Sequence, residues 1–270
     1  MIFRKQQGIA LVQVLLISTV LMLLVVQLSS KANNAVEIAT ELKHKAGAET
    51  KIQSAMAHIQ FALLTQSRVD FDIQALDRSL GFFGEPQRVE ADLTVEIQDM
   101  AGLLSTSFIG IGWDKYLNGN ANQLNTIRKW QGMDDYGVAS AQMRNARIPY
   151  IEEVLLLPGL EGTDLTYLTN LPTGFFNVGT APDGLLSKVF GELTAQRIAE
   201  LRESREFSRD TVNQIDGLQE ASVFPPGTMA RVKITSDRHD RKDSHVSRGR
   251  YFQLQPGNDI PIIEIGLTTK

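Results

Sequence analysis

Arg4-Lys5-Gln6-Gln7-Gly8-Ile9-Ala10-Leu11-Val12-Gln13-Val14-Leu15-Leu16-Ile17-Ser18-Thr19-Val20-Leu21-Met22-Leu23-Leu24-Val25-Val26-Gln27-Leu28 decides how the chain is laid out. Two cations open it, and no further charge occurs before Lys31. From Ile9 to Leu28 the polar side chains are Gln13, Ser18, Thr19 and Gln27 alone. About 20 such residues span roughly 30 Å as a helix, the thickness of a bilayer's hydrocarbon core. A cleavable secretory signal is the competing reading, with its cut at Ser30-Lys31-Ala32. The apolar core of such a signal runs only about 7–15 residues, so this stretch is read as a permanent single span over residues 9–30. Arg4 and Lys5 precede the span. The positive-inside tendency then sets the N-terminus in the cytoplasm and the rest of the chain outside.

Composition narrows what the rest can do. At 270 residues the chain has room for one large domain or two modest ones. A formal net charge of −4 supplies no general basic surface for nucleic acid or anionic lipid. The chain has no cysteine, which removes disulfides, thiolate metal sites and thiol nucleophiles together. Only four histidines are present, too few to favour a multi-histidine centre.

Beyond the span the pattern stays helical from Ala32 to about Thr65. Ala35, Ile38 and Leu42 recur at helical steps, as do Ile52, Met56, Ile59 and Leu63. Lys45, Gly47 and Glu49 interrupt the stripe, so the pattern is firmer over 50–65 than over 43–50. No proline occurs before Pro86, and the span is expected to run on into an amphipathic stem packed on a head. A coiled coil is the alternative for this stem, and the broken stripe counts against it. The period then changes to two: Val89, Ala91, Leu93, Val95 and Ile97 alternate with polar residues, which predicts a half-buried strand. Residues 230–235, 250–254 and 260–267 predict three more strands. The polar stretch 237–245 between the first two holds two histidines and three aspartates, but three interleaved cations make it a solvated loop rather than a metal site.

Between those strands lies a block of different character, residues 102–222. Ile151 to Leu157, then Pro158-Gly159-Leu160, predicts a helix, a turn and a second helix through Leu168. Thr180-Ala181-Pro182-Asp183 predicts a capping-box helix start, and Thr194 to Glu203 a further short helix with Ile198 and Leu201 inward. A helix, Pro-Gly turn and helix also describe the helix-hairpin-helix unit that binds DNA through backbone N–H groups and basic neighbours. Residues 151–170 hold Glu152, Glu153, Glu161 and Asp164 and no Lys or Arg, so nucleic acid is not an expected partner.

Two levels of resemblance attach to these residues. Arg4 to Gly8 followed by Ile9-Ala10-Leu11 resembles a prepilin-peptidase site: a short basic leader, a glycine, then an apolar helix. The chain as a whole resembles the minor pseudopilin K family of type II secretion systems. The segments that carry this are Glu152 to Leu160, Phe176-Asn177-Val178-Gly179-Thr180-Ala181-Pro182, and Ile97-Gln98-Asp99-Met100-Ala101-Gly102. The resemblance implies an α+β fold, with a pilin-like helix on a small antiparallel sheet and a large α-helical insertion of the SAM-like or helix-hairpin-helix-like kind. The layout is a leader at 1–8, the span at 9–30, stem and first strands at 31–101, the insertion at 102–222 and closing strands at 223–270. It implies cleavage after Gly8, a mature N-terminus at Ile9 open to methylation, and a non-enzymatic role in nucleating and capping the periplasmic pseudopilus. Implied partners are the I-type and J-type minor pseudopilins, the major pseudopilin, the prepilin peptidase and the inner membrane.

Departures from the family pattern matter as much. Its fifth mature residue is usually a glutamate that neutralises a neighbouring subunit's N-terminal amine; here that position is Gln13. Gly179 replaces an asparagine, and Leu103-Leu104-Ser105 replaces an Asn-rich turn. The family is associated with calcium, but its acidic segment is here Lys129-Trp130-Gln131-Gly132-Met133-Asp134. Only Asp134 and Asp135 remain as candidate ligands, against the six to eight oxygens calcium takes. Two other classes stand beside this one. One is a type IV pilus minor pilin for adhesion or DNA uptake. The other is a membrane-anchored periplasmic enzyme, for which Asp164, Asp183 and Glu192 are available acids without the spacing of a catalytic pair.

Overall fold

A computed structural model describes residues 6–66, 72–73, 78–107, 109–132, 146–204, 206–215, 217–218, 226–237, 245–255 and 261–268. The chain falls into two units, Met1–Lys51 and Ile52–Lys270. One helix, α1 (Gln6–Thr65), supplies the whole described part of the first and opens the second. The weak stripe over 43–50 does not interrupt it.

In the first unit, Leu11 to Leu28 are exposed, and the helix is long and apolar enough to cross a membrane. Thr19 fits into the apolar run because its hydroxyl donates to the Leu15 carbonyl at 2.8 Å, one turn back.

In the second unit, the last turns of α1 bury Ile52, Met56, Ile59 and Leu63. They pack against one face of a five-stranded antiparallel sheet. Its strands, in order across the sheet, are β3 (Gln87–Glu90), β4 (Leu93–Asp99), β7 (Met229–Asp237), β8 (His245–Leu254) and β9 (Ile262–Thr268). The short strands β1 (Asp72–Ile73) and β2 (Arg78–Ser79) form a separate pair. Leu93, Val95, Ile97, Val232, Ile234, Phe252 and Leu254 meet the helix in one apolar core. The mixed architecture agrees with the expected α+β class at that level. The single strand expected over 89–97 is two: Ala91 and Asp92 turn the chain between β3 and β4. Alternation did not reveal the turn, because both arms of a tight hairpin present their apolar side chains to the same core.

The block expected at 102–222 leaves the sheet after Asp99 and returns at Met229. Asp99 and Ala230 are direct partners in the β4–β7 ladder, so the excursion starts and ends at neighbouring points. It contains α2 (Ile111–Tyr116), α3 (Ala121–Trp130), α4 (Asp183–Phe190), α5 (Glu192–Glu203) and α6 (Arg209–Asn213). β5 (Leu104–Ser105) and β6 (Leu168–Thr169) add a short parallel pair. Trp113, Ile127, Val154, Leu157, Leu160, Leu185 and Ile198 share a second core.

Two local expectations are corrected. Residues 151–168 are not a helix pair but two 3₁₀ segments, Ile151–Leu156 and Leu165–Tyr167. Ile151 and Val154 pack on the second core, and their three-residue spacing lines one side of the first 3₁₀ segment, which has three residues per turn; Leu157 and Leu160 are buried beyond its end, on either side of the Pro158-Gly159 turn. The helix-hairpin-helix likeness of this segment therefore lapses. Nor does Thr180 cap a helix: Pro182 takes the cap position of α4, and the Thr180 hydroxyl is committed elsewhere.

Candidate functional site

β4 ends on Asp99, and the chain turns at once through a 3₁₀ segment, Met100–Gly102. Asp99 is only 1% exposed. Its carboxyl accepts from Ala101 N at 3.1 Å, Thr180 Oγ1 at 2.7 Å and Asn177 Nδ2 at 3.4 Å, and from the Gly227 amide. Burial pushes its pKa up, while these four neutral donors pull it back. Asp99 thus ties together the strand end, the turn at 177–180 and the chain returning to β7.

Neighbouring bonds lock the same seam. Asn177 N donates to Ala101 O at 2.7 Å, and Gln98 Nε2 donates to Thr180 O at 3.0 Å. Gly102 lies so close that an added Cβ would sit 2.2 Å from the Thr180 carbonyl oxygen. Two of the three segments that carry the family resemblance, 97–102 and 176–182, are therefore each other's packing partners.

A second anchor is cationic. Arg202, in the last turn of α5, has a side chain 9% exposed. It donates to Asp183 Oδ1 at 2.8 Å and to the carbonyls of Val178 at 2.8 Å and Ala181 at 2.7 Å. Its guanidinium lies 5.0 Å from the centre of the Phe83 ring and 6.0 Å from that of Phe207. Burial lowers its pKa to about 10, with Asp183 and Glu85 opposing, so it stays charged at neutral pH. Phe83 belongs to the stretch beside β4, bridged to Gln98. The guanidinium thereby joins α4, α5 and the sheet edge.

Other expected residues are placed apart from this seam. Gly8 and Ile9 fall in the first turns of α1, and Gln13 is exposed on it. Asp134 and Asp135 lie outside the described residues, as does most of the polar stretch 237–245. Among the described residues no three His, Cys, Asp or Glu side chains come together to hold a metal ion. Asp164 accepts from Thr166 N and Oγ1, caps its 3₁₀ turn and pairs with Lys188; the Thr166 hydroxyl holds its pKa down against partial burial. Glu192 is exposed in the first turn of α5. Sequence reading missed Arg202, although it lies four residues after Ile198 and so on the same inward face.

No protein-family model, curated protein or solved structure matches the chain.

Proposed function

We propose that the chain is a non-enzymatic minor pseudopilin of a type II secretion system. The observation that carries this reading is α1: one 60-residue helix, apolar and exposed in its first half, whose last turns are the core of an antiparallel sheet. Such a helix serves as membrane anchor and assembly rod at once. The leader before Ile9 supports processing on the cytoplasmic side of the inner membrane, with the head in the periplasm. The excursion between β4 and β7 adds a second core to that head, suited to a subunit at the pseudopilus tip. The test is affinity purification of the full-length chain from detergent-extracted membranes. I-type and J-type minor pseudopilins should come with it; recovery with a peptidoglycan or phospholipid hydrolase activity and no pseudopilin would point to the enzyme class instead.

A further inference from the structure

Polar side chains inside the apolar run of α1 stand in two situations. Thr19 is served by its own helix, its hydroxyl donating to the Leu15 carbonyl at 2.8 Å. Gln13 and Gln27 cannot be served in that way. A primary amide brings two N–H donors and a carbonyl acceptor. Inside a continuous helix every backbone N–H is committed to a carbonyl four residues back, so none is left for that acceptor. Both glutamines are exposed on α1. In a bilayer such side chains meet hydrocarbon, where a polar group without a partner is costly.

Their spacing points to what answers them. Gln13, Val20, Gln27 and Asn34 follow one another at seven-residue steps. Leu16 and Leu23 stand three residues after Gln13 and Val20, on the same side of the helix. On a straight helix such steps drift by about 20° each, and a left-handed supercoil of two helices removes the drift. A β-branched residue at one seam position with leucine three residues on is the pattern of parallel two-stranded pairs, and a buried amide in the seam fixes their register. We infer that residues 13–34 pair within the membrane with the same residues of a second copy of this chain. Two copies inserted in one orientation bring Gln13 to Gln13 and Gln27 to Gln27 at equal depth. An amide, donor and acceptor at once, complements itself, whereas a different helix would need polar groups at both depths. The seam ends at Asn34: Glu37 and Glu41 hold the next two places and would set like charges face to face. The pairing requires that α1 cross the membrane and does not depend on the pseudopilin reading.

The chain has no cysteine, so a single introduced thiol reports without background. Full-length Leu16→Cys, Val20→Cys and Leu23→Cys place it on the seam, and Ser18→Cys and Val25→Cys on the opposite side of α1. Each variant is oxidised in isolated membranes and read as monomer or disulfide-linked dimer. Dimer is expected from the three seam positions and little from the other two. Adding Gln13→Leu and Gln27→Leu to Val20→Cys should lower the dimer yield about tenfold, the scale of losing a few interhelical amide bonds, although the helix becomes more apolar. Gln13→Asn with Gln27→Asn should keep most of it. Equal yields around the helix, no dimer anywhere, an adduct with another protein in place of the dimer, or a yield that the leucine pair leaves unchanged each overturns the pairing. Alkaline extraction of the same membranes separates two failures. A chain that washes out removes the span and the pairing together; one that stays embedded without pairing overturns the pairing alone.

Discussion

Thr180 Oγ1 donates to Asp99 Oδ2 at 2.7 Å, although 81 residues separate the two in sequence. The bond joins the end of a sheet strand to a turn inside the insertion, and both side chains are buried. A carboxylate in that position is tolerated because every donor around it is aimed inward. Removing one donor does more than remove one bond: it leaves part of the desolvation of the charge uncompensated.

Thr180→Val keeps the side chain's shape and deletes the hydroxyl. The expected loss is about 1–3 kcal/mol of stability, the range for leaving a buried acceptor short of a partner. Because the deleted donor favours the ionised carboxyl, the loss should be larger at pH 7.5 than at pH 4. Urea denaturation of the full-length chain in detergent at both pH values checks this. An equal loss at the two would mean that Asp99 is not the partner that matters.

Two glycines should respond in opposite ways to the same change. At Gly102 an added Cβ meets backbone, the Thr180 carbonyl oxygen at 2.2 Å, and backbone cannot move aside as a side-chain tip can. Gly102→Ala should therefore destabilise by about 2 kcal/mol or more, as overpacking does. At Gly47, inside α1, an added Cβ has nothing within 4 Å. Gly47→Ala should stabilise the helix by roughly 0.5–1 kcal/mol. Thermal melts followed by circular dichroism compare the two directly.

Much of this architecture is legible without coordinates. Ile52, Met56, Ile59 and Leu63 announce the buried face of α1, and Leu93, Val95 and Ile97 the inner face of β4, because burial imposes periods of 3.6 and 2. Periodicity is silent on the turn at Ala91–Asp92, since the alternation runs straight through it. It misleads at 151–156, where a three-residue step is too close to 3.6 to separate 3₁₀ from α over two turns. The seam is less legible still. Asp99 and Thr180 can be noticed singly, but their pairing depends on a long chain excursion returning to its starting point. No local pattern encodes that return.

Processing is the most direct test of the leader. If Gly8 precedes the cut, the mature chain begins at Ile9 and keeps its span, because cleavage on the cytoplasmic side leaves α1 intact from that residue on. Gly8→Glu should block the cut by placing a charged side chain where the peptidase takes the residue with the smallest footprint. Intact-mass measurement on membrane-extracted protein gives the answer in one number. A mature N-terminus at Asn33 would mean secretory cleavage and the loss of the anchor.

If the chain is a pseudopilin, as proposed, its position in the fibre follows from Gln13, which stands exposed on α1. A processed subunit carries a free N-terminal amine at the start of its helix. In a packed bundle of such helices that amine lies in hydrocarbon, where leaving a charge unpaired costs several kcal/mol. A glutamate at the Gln13 position of an adjoining subunit would compensate it. Gln13 accepts a hydrogen bond but carries no charge, so this chain suits a place where it has no neighbour's amine to serve, which is the tip. Gln13→Glu should then leave secretion nearly unchanged, because no neighbour's amine depends on that position and the new carboxyl can take up a proton instead of staying charged. The insertion supplies the complementary experiment. Asp99 and Ala230 are paired across β4 and β7, so residues 101–228 can be replaced by a two-residue turn that closes a hairpin. The shortened chain should still be processed and membrane-bound, but no longer retained by the other minor pseudopilins. Site-specific crosslinking from the head then decides the placement: partners at the fibre end support it, and the major pseudopilin on both sides rules it out.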